Sequence, residues 1–252
     1  MDFIGGLWAQ GGQDLLLACA VALAASILGG LSGFGTGLAL PGFLVPVVGV
    51  AHVVPVMAMA MLFNNGSRAV AFRREVAWAH ARRILLPGLP ACLLGAWTYT
   101  LLPPRAVAWV LGLFLLASVP LRRWLAARAW KLPPPGEATA GAAFGWLNGG
   151  LTGTGILLIS ILMASGLGGA TLVATDALIS LTMGLGKVLM FNRLDALDLR
   201  LATVGLLVGL ATIPGAFIAR ALLARMPIRV HAVLMEAVIL TGALAMLRQA
   251  LA

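Results

Sequence analysis

Charged residues are scarce in this sequence. Asp, Glu, Lys and Arg make up only 10% of its 252 residues, hydrophobic residues make up 61%, and the mean hydropathy is +1.03. Because a soluble domain must cover its exterior with polar groups, about a quarter of its residues are ordinarily charged. The shortage of charge therefore excludes a soluble globular domain and indicates a membrane protein.

Acidic residues are the rarer of the two signs, with 8 against 17 Lys and Arg and a net charge of +9. The cations cluster in two short segments: Arg73, Arg74, Arg82 and Arg83, and then Arg122, Arg123, Arg128 and Lys131. Lys and Arg concentrate in cytoplasmic loops beside lipid headgroups, so we interpret both clusters as topology signals of a protein in a lipid bilayer. Nucleic acid is not an expected partner.

Cysteine and histidine, which build many metal and catalytic sites, are nearly absent. The two cysteines, Cys19 and Cys92, fall in predicted spans and are expected to pack as small apolar residues. The sequence contains no H-E-x-x-H pattern, no P-loop and no Cys/His cluster with metal-ligand spacing. It therefore predicts neither an enzyme nor a protein that holds a metal or another cofactor.

Long apolar runs are present instead. A helix needs roughly 20 apolar residues to cross the hydrocarbon core. About eight transmembrane helices are predicted, at 14–32, 51–72, 84–102, 105–124, 138–152, 169–191, 200–222 and 229–249. Segments 33–50 and 153–168 are short and interrupted by Gly or Pro, so we expect them to be broken or re-entrant. The predicted fold class is an all-α polytopic membrane protein.

The two halves of the chain look like homologous repeats. With a shift of 120 positions, GGLSG from Gly29 lies on GGLTG from Gly149. A proline-rich linker, 133–137, is predicted to join a first transmembrane repeat, 1–132, to a second, 138–252. Loop charges do not distinguish eight crossings from ten crossings with inverted halves.

Glycine, which disfavours helix, is concentrated inside two apolar segments, in GGLSGFGTG at 29–37 and GGLTGTG at 149–155. A helix broken within a membrane exposes N–H groups and a partial positive charge at the start of the next half-helix. We therefore predict an oxyanion site built from both blocks, with the residues Ser32, Gly33, Gly35, Thr36, Thr152, Gly153, Thr154 and Gly155. The alternative is close helix packing through Gly-xxx-Gly spacing.

Each half also places a cation inside or near a span. Arg68, with Asn64 four residues earlier on the same helical face, corresponds to Lys187 in the second half. Ionised groups in a span are functional candidates because burying them is expensive, so Asn64, Arg68 and Lys187 are predicted to bind the anion. For Arg68 the alternative is that its side chain reaches the membrane interface.

Two acids lie within predicted spans, Asp176 in 169–191 and Glu236 in 229–249. A protonatable carboxylate that faces a cavity can couple transport to protons, and these two are the predicted proton-coupling residues. The alternative is that each acid neutralises a cation of another helix. Asp176 and Lys187 are separated by about three turns, or roughly 16 Å, so they are not expected to pair within one straight helix.

The glycine blocks carry a resemblance to a known family. The stretches GGLSGFGTGLALPGFLVPVVGVAHVVPVMA and NGGLTGTGILLISILMASGLGGATLVATDALI resemble the sulfite exporter TauE/SafE family of membrane transporters (4-toluene sulfonate uptake permease type). The family's glycine positions fall on Gly33, Gly35, Gly37, Gly153 and Gly155. This sequence departs from the family pattern at Thr36, and no proline follows its second block.

The resemblance implies a transporter, expected to be an exporter, of sulfite, an organosulfonate or a related small sulfur oxyanion in the bacterial inner membrane. Its partners would be this small anion and the lipid bilayer, and the sequence leaves a homo-oligomer open. Two other functions also remain open. One is an uncoupled anion channel with the same site, and the other is a membrane scaffold in which the glycines only pack helices.

Overall fold

The computed structural model describes residues 16–17, 19–24, 26–27, 35–126, 131–223, 240, 243–244, 247–248 and 251. Their regular structure is helical, with no strand among them. The α-helices are α1 (Gly35–Ala39), α2 (Pro41–Val48), α3 (Val53–Ala71), α4 (Trp78–Thr100), α5 (Pro104–Ala126), α6 (Pro134–Gly150), α7 (Gly155–Ala164), α8 (Gly169–Arg193) and α9 (Leu199–Leu223). Short 3-10 turns, Val50–His52 and Arg73–Glu75, precede α3 and α4.

Helices α4 and α6 form the most extensive contact between described helices. Glycines line this contact on both sides, at Gly88 and Gly95 of α4 and at Gly141, Gly145 and Gly149 of α6. A Cβ on Gly145 would lie 2.1 Å from the Gly88 carbonyl oxygen, so the two backbones touch. Small residues at four-residue spacing allow membrane helices to approach this closely. The packing role considered for glycine therefore operates here, and it includes Gly149, the first residue of the second glycine block.

Replacing Gly145 by Ala is expected to lower the free energy of unfolding by about 1–3 kcal/mol, because the new methyl group can be accommodated only by separating α4 from α6. The measurement is the melting temperature of the detergent-purified protein. Gly168→Ala is the matched control, since a Cβ there meets nothing within 4 Å. Equal melting temperatures for the two variants would contradict this account of the interface.

Helix α3 packs against both α8 and α9, and α8 also packs against α4. The contact with α9 again uses close-packed glycines, because a Cβ on Gly205 or Gly209 would lie 2.9 Å from the carbonyl oxygen of Val56 or Ala60. Helix α8 therefore lies between α3 on one side and α4 and α6 on the other, and its residues Thr175, Asp176 and Lys187 are buried there.

Fewer helices meet the length and hydropathy expected of a span than the sequence predicts. Among the described residues, two helical segments are long and apolar enough to cross a membrane: Pro104–Leu121 in α5, and the whole of α8, Gly169–Arg193. The bent pair Pro41–Val48 and Val50–Val70 counts as a third if it is one span. Membrane-crossing helices are thus present, whereas eight crossings in two homologous halves stay a prediction.

Both short segments contain the interruptions that the sequence predicts. Near 33–50 the chain forms the short helices α1 and α2, and the latter meets the following helix at an angle of 119°. In the second half α6 ends at Gly150 and α7 begins only at Gly155, with Gly153 at a φ of +76°. Glycine adopts this left-handed backbone without the clash of a Cβ, which explains the position of the break.

The predicted linker 133–137 differs from the observed backbone. Pro133 is extended, but Pro134 already begins α6, and Glu137 is a buried residue of its first turn. Proline is compatible with the first helical positions because those N–H groups have no intrahelical acceptor. The proline run therefore starts a helix and is not a free-standing connection.

Candidate functional site

The two glycine blocks meet at the break between α6 and α7. A Cβ on Gly37, in α1, would lie 3.2 Å from the backbone N and Cα of Gly153. A Cβ on Gly153 would lie 2.2 Å from the Leu38 side chain. Glycine is required at position 153 by its positive φ, and a side chain at position 37 would crowd it. This approach brings two segments more than 100 residues apart in sequence to one place.

Lys187 of α8 lies beside the end of α6. Its side chain is buried, and Nζ donates hydrogen bonds to the carbonyl oxygens of Asn148 at 2.6 Å and of Leu151 at 3.4 Å. The last carbonyls of a helix have no intrahelical donor and carry a partial negative charge, which an ammonium group stabilises. Lys187 thus caps α6 and places a positive charge at the break.

Asn148 joins the two sides of the break through its side chain. The Thr154 hydroxyl donates to Oδ1 of Asn148 at 2.7 Å, which connects the last turn of α6 to the residue preceding α7. The amide nitrogen of Asn148 contacts two sulfur atoms, Cys92 Sγ and Met183 Sδ, each at 3.7 Å. Sulfur is a weak acceptor, so the amide N–H groups are only weakly satisfied.

Unused donors lie at the start of α7. The first N–H groups of a helix lack acceptors in a preceding turn. In α7 the N–H of Leu157 donates to the Thr154 carbonyl oxygen at 2.9 Å, which leaves the N–H groups of Gly155 and Ile156 at the partial positive end of the helix. Thr152 is 6% exposed, and its buried hydroxyl has no hydrogen-bond partner. A buried polar group without a partner is unfavourable unless a ligand or water satisfies it. The break therefore has the donors expected of an anion site.

These groups face a cavity of about 80 Å³. One water needs roughly 10–15 Å³ on this scale, so the cavity has room for several waters or one small anion. Six of the residues predicted from the sequence line it: Thr152, Gly153, Thr154, Gly155, Asp176 and Lys187. The second glycine block thus contributes all of its predicted residues to one cavity.

Arg68 and Asp176 form an ion pair between α3 and α8. The side chains are 13% and 3% exposed, so the pair lies inside the protein, and Arg68 does not extend to the surface as the snorkelling alternative requires. The second carboxylate oxygen, Oδ1 of Asp176, is buried without a hydrogen-bond partner, and Asp176 lines the cavity. Since Arg68 balances Asp176, Lys187 supplies the net positive charge of the described cavity walls.

Other sequence-predicted residues lie away from the cavity or outside the described part of the chain. Thr36 is buried in α1 and Asn64 is half-buried in α3, and neither lines the cavity, although α1 contributes Gly37. Gly35 begins α1. Ser32, Gly33 and Glu236 lie outside the described residues, so their predicted roles stay predictions.

Sequence reasoning missed three polar residues of the cavity wall, Asn65, Asn148 and Ser180. Each had a signal in the sequence. Asn65 follows Asn64, Asn148 directly precedes the second glycine block, and Ser180 is one turn after Asp176 on the same helical face. Polar residues in an apolar span are candidates for a site for the same reason as charged ones, because burying them in a membrane is expensive.

The comparisons with known proteins identify the family of the chain. The chain matches the family described as Sulfite exporter TauE/SafE over residues 18–246, which include both glycine blocks and helices α1 to α9. The search of curated proteins and the search of solved structures find no match. Since the family match covers nearly the whole chain, this multi-pass membrane protein belongs to the sulfite exporter TauE/SafE family.

Proposed function

We propose that this protein exports a small sulfur-containing oxyanion, such as sulfite or an organosulfonate, across the bacterial inner membrane. The observation that carries the proposal is the unpartnered hydroxyl of Thr152 in a cavity that also contains the start of α7 and the Lys187 ammonium group. A buried cation and helix N–H groups stabilise negative charge.

The transported anion occupies the break between α6 and α7. Its oxygens accept hydrogen bonds from Thr152 and from the first N–H groups of α7, while Lys187 keeps its two carbonyl acceptors and directs its remaining N–H towards the anion. The apolar side chains of Met57, Met61 and Leu151 line the same cavity and contact the non-oxygen part of the ligand. Broken helices at a substrate site are common in secondary transporters.

Asp176 is the proposed proton-coupling residue. Asp176 lines the same cavity as the anion site, and its Oδ1 has no hydrogen-bond partner, whereas Arg68 donates to the other oxygen. A proton on this carboxylate would neutralise it and leave the Arg68 charge to attract an anion. Proton binding and anion binding would then favour each other, which is the coupling that a proton-linked transporter needs.

The first test measures the melting temperature of the purified protein with one added anion or solute at a time, each at about 10 mM. The compounds are sulfite, sulfate, thiosulfate, sulfoacetate, taurine and chloride. A ligand that binds only the folded protein raises this temperature by mass action. We expect stabilisation by at least one sulfur oxyanion. In proteoliposomes, flux of that anion should depend on a transmembrane pH gradient.

The same experiment separates the two alternative functions. An uncoupled channel would bind the anion but give a flux that is independent of the pH gradient. A scaffold would show neither stabilisation nor flux, and this result would remove the proposed function.

A further inference from the structure

We propose that the cavity contains a second anion position, at the end opposite the α6–α7 break, formed by Asn65, Ser180 and the protonated form of Asp176. The inference rests on the proposed function, because it concerns the anion and the proton of the same transporter. It adds the place where the two meet: the anion occupies the second position only while Asp176 carries a proton.

The cavity follows one face of α8. Its wall includes Asp176, Ser180, Gly184 and Lys187, which lie within about 80° of one another around the helix and extend over roughly 16 Å along it. Lys187 is at the α6–α7 break, where it donates to the Asn148 carbonyl oxygen. An anion held at the break is therefore about three turns from Asp176, and it can meet the coupled proton only by moving along the cavity.

Asn65 lies at the level of Ser180 across the contact between α3 and α8. Both residues line the cavity. A Cβ on Gly66, the residue after Asn65, would lie 3.9 Å from the side chain of Leu181, the residue after Ser180. Asn65 and Ser180 thus belong to the two helices that form the cavity wall at the same depth.

The polar groups at this position have unused hydrogen-bonding capacity. Thr175 and Thr182 of α8 each donate to the carbonyl oxygen four residues earlier, but within the described structure Ser180 makes no such bond. The Asn65 side chain likewise makes no hydrogen bond with a described residue, and Oδ1 of Asp176 is buried without a partner. Hydroxyl and amide groups can donate to an anion, so Ser180 and Asn65 supply two donors.

The protonation state of Asp176 decides whether an anion can stay at this position. Arg68 donates to Oδ2, so a proton that joins the carboxylate binds to Oδ1. The ionised carboxylate repels an anion, whereas the protonated form donates an O–H group and no longer neutralises the charge of Arg68. Three donors and one nearby positive charge then replace a negatively charged wall.

Arg68 is the charged residue that pairs with Asp176. Within the part of the chain that the structure describes, the other titratable groups on the elements packed against α8 make no hydrogen bond or ion pair with Asp176. They are Arg73, Arg74 and Glu75 of the 3-10 turn, His80, Arg82, Arg83, Cys92 and Tyr99 of α4, and Glu137 of α6. Proton-dependent binding at the second position is therefore assigned to Asp176.

The test measures the dissociation constants of sulfate and methanesulfonate for the purified protein at roughly pH 8 and pH 6. Both probes keep the same charge over this range, so a change in affinity reports on the protein. We expect the wild-type protein to bind at least one of them roughly threefold or more tightly at the lower pH, because protonation of Asp176 adds the second position to the one at the break.

Removing the Ser180 hydroxyl separates the two positions. Ser180→Ala should abolish most of the gain at the lower pH and leave the constant at the higher pH unchanged, since one hydrogen bond to a charged ligand contributes roughly tenfold or more in affinity. Asn65→Leu should act in the same way. Flux of the bound probe in proteoliposomes should fall in both variants, whereas a residue with only a structural role would change binding at both pH values.

Two variants serve as controls. Ser160→Ala makes the same change in α7, where the hydroxyl donates to the Ile156 carbonyl oxygen away from the cavity wall, and should leave binding and flux unchanged. Lys187→Gln, at the break, should weaken binding at both pH values. All proteins are compared only if they elute as a single folded species from size-exclusion chromatography.

Different results overturn different statements. Equal wild-type constants at the two pH values, a measurement that needs no variant, would refute a proton-dependent second position while leaving the anion site at the break intact. A gain that persists in both Ser180→Ala and Asn65→Leu would remove these residues from the position. If the wild-type protein binds no sulfur oxyanion at either pH, the proposed function itself fails, and this inference fails with it.

Discussion

Replacing Lys187 by Gln is expected to weaken binding of the sulfur oxyanion by roughly 10- to 100-fold, with a matching loss of transport. Lys187 supplies the net positive charge of the described cavity walls, and its buried ammonium group faces little competition from water. The neutral amide of Gln still donates to a carbonyl of the α6 end, so the cap is partly retained. The measurements are the dissociation constant in detergent and flux in proteoliposomes.

The matched control is Lys131→Gln, which makes the same chemical change at an exposed position before α6. It should leave anion binding unchanged. If Lys187→Gln binds the anion as the wild-type protein does, Lys187 is only a helix cap, and the anion site must be located elsewhere.

Replacing Arg68 by Gln is expected to destabilise the protein by about 3–5 kcal/mol, because it leaves the buried Asp176 carboxylate without its cation. Asp176→Asn alone similarly leaves Arg68 without its anion. The double replacement Arg68→Gln with Asp176→Asn leaves two neutral groups, so it should recover much of the lost stability. The measurement is a double-mutant cycle on the melting temperature in detergent.

The double variant also tests the proposed coupling. With no carboxylate at position 176, its anion flux should no longer respond to a pH gradient, even where its stability is restored. Arg200→Gln, at an exposed position in the first turn of α9, is the control for loss of a cation and should change neither property. A double variant that is less stable than both single variants would contradict the ion pair, and flux that still responds to the gradient would remove Asp176 from coupling.

The position of the candidate site along the chain could be predicted because glycine blocks and charges within apolar segments are recognised from the local sequence. Glycine and proline interrupt a helix through their own backbone properties, so GGLTGTG marked the break between α6 and α7 without any knowledge of neighbouring helices. The cost of burying charge similarly identified Asp176 and Lys187, both of which line the cavity.

The contacts that side chains make with other helices could be predicted less well from the sequence. From the sequence, Arg68 could either bind the anion or reach the membrane interface. Asp176 could either carry the coupled proton or neutralise a cation of another helix. These two residues lie 108 positions apart and pair because α3 packs on α8. Asn64 and Asn65 differ by one position and therefore by about 100° around α3, and this rotation places Asn65 and not Asn64 on the cavity wall.

The sequence by itself therefore determined the all-helical membrane class, the two interrupted segments, the placement of Asp176 and Lys187 inside a span, and the resemblance to the sulfite exporters that the family match confirms. Each of these follows from composition or from local backbone chemistry. Only the tertiary structure decided which glycines touch, that Lys187 caps α6, and that Asn148 holds the break together. Those contacts depend on the rotation and close approach of helices, which packing of the whole chain sets and no single segment encodes.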